Sequence, residues 1–136
     1  MRKGEFPEFL KDRERISNAY IQGRPDELTA IATRHDPATF MPPSGEVVSG
    51  AEAVSRAHTS GAKIFRNGST GHFEVLQSGS SGDLGYWTGI QHAEVVMEGK
   101  DMPIAMQLRT TEIFRREGGE WKLVHRHADM NLDDKR

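Results

Sequence analysis

Phe114-Arg115-Arg116-Glu117-Gly118-Gly119-Glu120-Trp121-Lys122-Leu123-Val124-His125-Arg126-His127 reads as a β-hairpin, and the rest of the fold can be built back from it. Two extended runs flank Gly118-Gly119, a pair free to take the positive φ angles that a tight hairpin demands. Working back from it, residues 104–115, 84–96 and 72–76 read as strands, and residues 121–128 close the series. Turns fall at Ser78-Gly79-Ser80-Ser81-Gly82-Asp83 and at Glu98-Gly99-Lys100-Asp101. Four consecutive strands on short connections make an antiparallel meander, because parallel neighbours would need long crossovers. Gly85 and Gly89 inside one strand predict bulges or bends, and so a strongly curved sheet.

The amino-terminal half is helical. Phe6, Phe9, Leu10, Ile16, Ala19 and Tyr20 recur at three- and four-residue spacing, which turns one stripe toward a core. Gly23 is suited to end that helix in the left-handed conformation, and Pro25-Asp26-Glu27 to open a second one. His35-Asp36-Pro37 stops the second helix, and Ala38-Thr39-Phe40-Met41 reads as a short strand before a Pro42-Pro43-Ser44-Gly45 turn. Ser49-Gly50-Ala51-Glu52 has the form of a capping box and opens a third helix to about Ser60. Helices first and a curved antiparallel sheet afterwards define an α+β fold, with the helices on the concave side.

Composition narrows the functions. Leu, Ile, Val and Phe total 27 of 136 residues, a lean supply for a core, yet the net charge of −2 argues for folding rather than disorder. Either the fold needs few large apolar side chains, or polar groups stand inside it. A near-neutral chain has no basic field for nucleic acid, and no apolar run approaches the roughly 20 residues that span a bilayer. No apolar stretch follows the first cations, so a cytoplasmic protein is expected. The absence of cysteine removes disulfides, thiolate metal sites and thiol nucleophiles. No phosphate-binding glycine loop or serine nucleophile elbow is present, so no cofactor is expected.

Three phrases in this order resemble a known superfamily. They are Ala19-Tyr20-Ile21-Gln22-Gly23-Arg24-Pro25-Asp26-Glu27-Leu28, the segment from Ala38 through Gly45 with Val48-Ser49-Gly50-Ala51-Glu52-Ala53-Val54, and the closing hairpin. Over roughly residues 8–130 the chain is similar to SnoaL-like or ketosteroid isomerase-like proteins of the nuclear transport factor 2-like superfamily. The resemblance implies a cone-shaped, cystatin-like α/β roll, with three helices on a strongly curved sheet. It also implies a pocket at the open end and a homodimer through the sheet. The expected unit is one domain over 1–136 with a polar tail at 131–136. It does not fix a reaction, since the fold hosts enzymes, transport factors and oligomerisation domains. The isomerase base position falls near Pro42, its phenol position on Ile16, and its second donor near Thr111 or Glu112, so the steroid-isomerase mechanism is not supported. The hairpin also resembles the association domain of calcium/calmodulin-dependent kinase, which makes a non-catalytic binding or oligomerisation role the alternative.

His125 and His127 are the sharpest pair, since spacing of two on a strand projects both rings from one face. They suit acid/base work near neutrality, or structural roles. They lack the third ligand that a metal site needs. A two- or four-residue turn at Gly118-Gly119 puts Glu112 on their face; a three-residue bulged turn pairs Glu112 with Arg126 instead. His127, His125 and Glu112 are the candidate catalytic residues. Candidate ligand contacts are Tyr20 and Met41, Trp87 as a flat apolar wall, His92 at the mouth, and Arg109, Thr111 and Arg126 on the last strands. His35, His58 and His72 read as surface or helix-end residues. The expected ligand is a small apolar or aromatic molecule, and the expected chemistry a proton transfer.

Overall fold

The computed structural model describes residues 4–132; of the expected tail, residues 133–136 lie outside the described residues. In chain order the elements are α1 (Phe6–Tyr20), α2 (Asp26–Ile31), β1 (Thr39–Met41), β2 (Val48–Ser49), α3 (Ala51–Gly61), a 3₁₀ turn (Ala62–Ile64), β3 (Phe65–Ser81), β4 (Leu84–Met97), β5 (Ile104–Glu117) and β6 (Glu120–Met130). All six strands form one sheet in the order β2-β1-β6-β5-β4-β3. The fold is the expected α+β cone. β3 to β6 make the antiparallel meander, while β1 joins β6 in parallel and carries β2 on its outer edge.

Gly118 and Gly119 have φ of 59° and 83°, and Glu117 stands opposite Glu120, so the closing turn has two residues. Farther along, Ile113 faces His125 whereas Phe114 faces Leu123, which leaves Val124 as a bulge. That extra residue reverses the side-chain parity of β6. Arg126 therefore pairs with Glu112, and His125 and His127 turn to the other face. The tight turn and the Glu112–Arg126 pairing coexist because the bulge sits in the strand, not in the loop.

Two further irregularities, at Arg66/Thr70 and Val75/Gln77, curve β3 around the helices. The second lies opposite Gly89, where an added Cβ would stand 2.0 Å from the Glu74 carbonyl oxygen. β3 is longer than the sequence predicts: residues 78–81 continue the ladder, and only Gly82-Asp83 turns. Pairing with β4 gives the backbone of this Ser/Gly run its hydrogen bonds, which outweighs its weak strand preference.

α1 buries Phe6, Phe9, Arg13, Ile16 and Ser17, an apolar stripe interrupted by two polar residues. Its amino-terminal part packs into an aromatic cluster with Phe114 and Trp121, ring centroids 5.1–6.5 Å apart, at the closed end of the cone. The expected capping box on α3 does not form. Ser49 belongs to β2, Gly50 is the N-cap residue, and the Ala51 N–H is taken by Asp36 Oδ1 at 2.7 Å. A carboxylate from the preceding loop thus replaces the local hydroxyl.

Candidate functional site

The stripe of α1 carries the first site residue. Arg13 is 2% exposed and pushes its guanidinium into the interior, where Glu112 of β5 is fully buried. Arg13 Nε donates to Glu112 Oε1 at 3.0 Å and Nη2 to Oε2 at 2.7 Å. Trp87 Nε1 donates to Oε1 at 2.8 Å, and Arg126 Nη1 to Oε2 at 2.7 Å. Four donors occupy the carboxylate's four lone-pair positions. Burial works to raise the Glu112 carboxyl, but the two guanidiniums, with the bonds from Arg13 and Trp87, bring it down to about 2. The network runs on: Arg126 Nη2 donates to Gln91 Oε1 at 2.9 Å, and Gln91 Nε2 donates to Ser17 Oγ at 3.0 Å. These are the polar groups that the lean apolar composition implied.

Above this network lies a cavity of about 450 Å³. Arg13, Ser17, Gln91 and Arg126 form its inner end, and Tyr20, Leu28, Phe40, Phe65, Met106 and Leu108 contribute its walls. Pro43, Ser44 and Glu46 line its exposed rim. This is the form of a small-molecule site, mostly apolar with a few converging polar groups.

His58 of α3 is also in the wall, 1% exposed, with its ring 4.6 Å from that of Phe40. Its carbonyl accepts the Tyr20 hydroxyl at 2.9 Å, which ties α1 to α3 across the cavity. Burial, reinforced by the Arg126 and Arg13 charges, holds the imidazole down at about 3, so it is neutral at physiological pH. His58 Nε2 and Arg13 Nη1 are the two buried side-chain polar atoms without a hydrogen-bond partner among the described residues. Both belong to residues that line the cavity.

The residues singled out in the sequence divide into three groups. Tyr20 and Arg126 line the cavity. Trp87 and Glu112 lie in the network beneath it, with Trp87 stacked on Phe73 at 4.3 Å, so Trp87 is core rather than ligand wall. His125, His127, Arg109, Thr111, His92 and Met41 do not line it, a correction to where they were expected. The Val124 bulge turns His125 and His127 away. His125 Nδ1 is 2.7 Å from Thr39 Oγ1, and burial and the neighbouring His127 lower its pKa. His127 is exposed, with Asp129 at 3.8 Å. Arg109 forms a two-pronged pair with Asp129 on the same outer face, and Thr111 bonds Thr88. His92 stacks on His72 at 4.8 Å and meets Glu74 at 2.7 Å. Among the described residues no group of three or more His, Asp or Glu stands close enough to hold a metal ion.

His58, expected at the surface or a helix end, is instead buried on the inner face of α3, and Arg13 is not among the residues singled out in the sequence; both had a signal. Ala51, Val54 and His58 fall at spacing three and four, so His58 shares the buried face of α3. Arg13 lies four residues after Phe9 and three before Ile16, a charge inside an apolar stripe.

A curved sheet closed by helices over an inner cavity defines a pocket-bearing, cone-shaped α+β roll. The SnoaL-like domain profile matches residues 14–132, and the chain belongs to that family. Among solved structures it is similar to a provisionally named dehydratase of the nuclear transport factor 2-like family from Streptomyces avermitilis (20% identity, 90% of this chain and 93% of that one, TM-score 0.73). It is also similar to a provisionally named calcium/calmodulin-dependent protein kinase II association domain from Xanthomonas campestris (17% identity, 96% and 90%, TM-score 0.74). A third is a provisionally named scytalone dehydratase from Novosphingobium aromaticivorans (12% identity, 93% and 81%, TM-score 0.72). Likenesses at these identities show the fold alone. No curated protein matches the chain.

Proposed function

We propose that the chain binds a small, largely apolar or aromatic molecule in this cavity and moves a proton on it without a cofactor, His58 being the group that handles the proton. The observation that carries this reading is the His58 imidazole in the wall of an open apolar cavity, neutral and desolvated, with Nε2 buried and unpartnered among the described residues. An unprotonated ring nitrogen accepts a proton from an acidic C–H or O–H of the ligand and returns it. Negative charge growing on the ligand offsets the field of Arg13 and Arg126 and makes His58 more basic as the proton moves. Glu112, with its lone pairs filled, serves as counterion and holds both arginines in place. The dehydratase names among the structural neighbours are consistent with proton-transfer chemistry on this fold.

The kinase association-domain neighbours support the alternative, a non-catalytic assembly role. A cavity left open rather than filled by side chains favours the ligand reading. A second copy on the outer sheet face, where Leu84 and Ile113 are exposed, is compatible with either. Sedimentation as a 15.2 kDa species at micromolar concentration overturns the dimer.

The test uses methyl-¹³C-methionine NMR with 2-tetralone, a small aromatic ketone with acidic α-hydrogens. Binding moves the Met106 methyl in the cavity and leaves exposed Met102 unmoved, and the protein speeds α-hydrogen exchange with D₂O. His58→Gln keeps the Met106 shift and loses the exchange. No Met106 shift and no acceleration with the wild-type protein overturn the reading.

A further inference from the structure

We propose that the inner end of the cavity is a carboxylate-binding pole, with Arg13 Nη1 taking a ligand oxygen while the ligand's apolar body lies against Phe40 and Phe65. This rests on the cavity being a ligand site, as proposed above, and adds the chemical class of what enters it. Three observations carry it.

The first is the orientation of Arg13. Its Nε and Nη2 form the edge bound to Glu112, and Nη1 lies off that edge. Arg13 is in the cavity wall and Glu112 is not, and Nη1 is buried with no acceptor among the described residues. A buried guanidinium N–H without an acceptor is costly, and a ligand oxygen removes that cost.

The second is the charge balance. Arg13 and Arg126 bring two positive charges to the inner end, Glu112 one negative, and His58 is neutral. The remaining single positive charge, on side chains that are themselves largely buried, matches a monoanion. The carboxylate at the rim, Glu46, is exposed to solvent and well screened.

The third is the donor geometry. Ser17 Oγ accepts from Gln91, which leaves its hydroxyl proton for a second ligand oxygen at the same end. Two donors on one wall, with an apolar body of the cavity beyond them, suit a planar carboxylate on an aromatic or alkenyl stem.

The experiment compares trans-cinnamate with trans-cinnamamide, which share a stem and differ in charge, by titration against the wild-type protein with the Met106 methyl as site reporter. Cinnamate is expected to bind about tenfold or more tightly than the amide, the range for a charge-assisted bond over a neutral one. In Arg13→Lys, which keeps the charge beside Glu112 but loses Nη1, this preference is expected to shrink severalfold. Should that variant fail to fold, Ser17→Ala provides the second arm, with an expected severalfold loss for cinnamate alone. Equal affinity of the two ligands, both moving Met106, overturns the carboxylate pole and leaves the apolar ligand site standing. Failure of both to move Met106 overturns the pole together with the ligand site on which it rests.

Discussion

Replacing His58 by Gln should flatten the acid sensitivity of the fold between pH 7 and pH 5. In the native state the imidazole is held down at about 3, against an ordinary 6.5, first by burial and then by the Arg126 and Arg13 charges. Between those two values the unfolded chain binds a proton at this position and the folded chain does not. Stability therefore rises with pH through this window and falls on acidification. Fully titrated, the gap corresponds to about 5 kcal/mol, of which about 2 kcal/mol is lost between pH 7 and pH 5. Glu112 does not contribute much there. Its folded value of about 2 lies below the ordinary 4.5, so its share is present above the latter and disappears only as the pH falls toward 2. His125 is also lowered and adds to the wild-type slope with the same sign, so His125→Gln is the control. The assay is urea unfolding at pH 5, 6 and 7, extrapolated to water. His58→Gln should lose most of the slope and His125→Gln should retain most of it. A wild-type stability independent of pH in this range, or a full slope in His58→Gln, would refute the burial of a neutral imidazole.

Other perturbations test the supporting network. Arg13→Met strands the buried Glu112 with one cationic partner and should cost about 3–5 kcal/mol in urea unfolding; a loss below 1 kcal/mol would mean that water enters the pair. Trp87→Phe keeps the stacking on Phe73 but removes a bond to the carboxylate, and should cost about 1.5–3 kcal/mol. Gly89→Ala forces a Cβ onto the Glu74 carbonyl and should lower the melting temperature by several degrees, seen by calorimetry. His127→Ala, on the exposed outer face, should leave stability within about 0.5 kcal/mol and cinnamate affinity unchanged.

Elements with their own local signal were legible in the sequence. The glycine pair at 118–119, the helical stripe of α1 and the stop at Gly23 each depend on nearby residues, and each formed as read. Their order was enough to indicate the meander and the cone. Site geometry depends on longer-range facts. A single bulged residue, Val124, decides whether Glu112 faces two histidines or an arginine, and valine carries no mark of a bulge. The cap of α3 comes from Asp36, fifteen residues before Ala51, in competition with a well-formed local motif. His58 and Arg13 were visible as polar members of apolar stripes. What distinguishes them is tertiary: the facing strand supplies Glu112 to Arg13, and one buried nitrogen of each has no partner among the described residues.

A crystal structure of the protein with cinnamate shows whether the cavity beneath α1 and α3 holds an anionic organic ligand. The carboxylate should lie within hydrogen-bonding distance of Arg13 Nη1, with the phenyl ring against Phe40 and the rim at Pro43 open above it. A cavity empty of ligand at saturating cinnamate, or cinnamate bound only on the outer sheet face beside His127, would mean that the cavity is not an anion site.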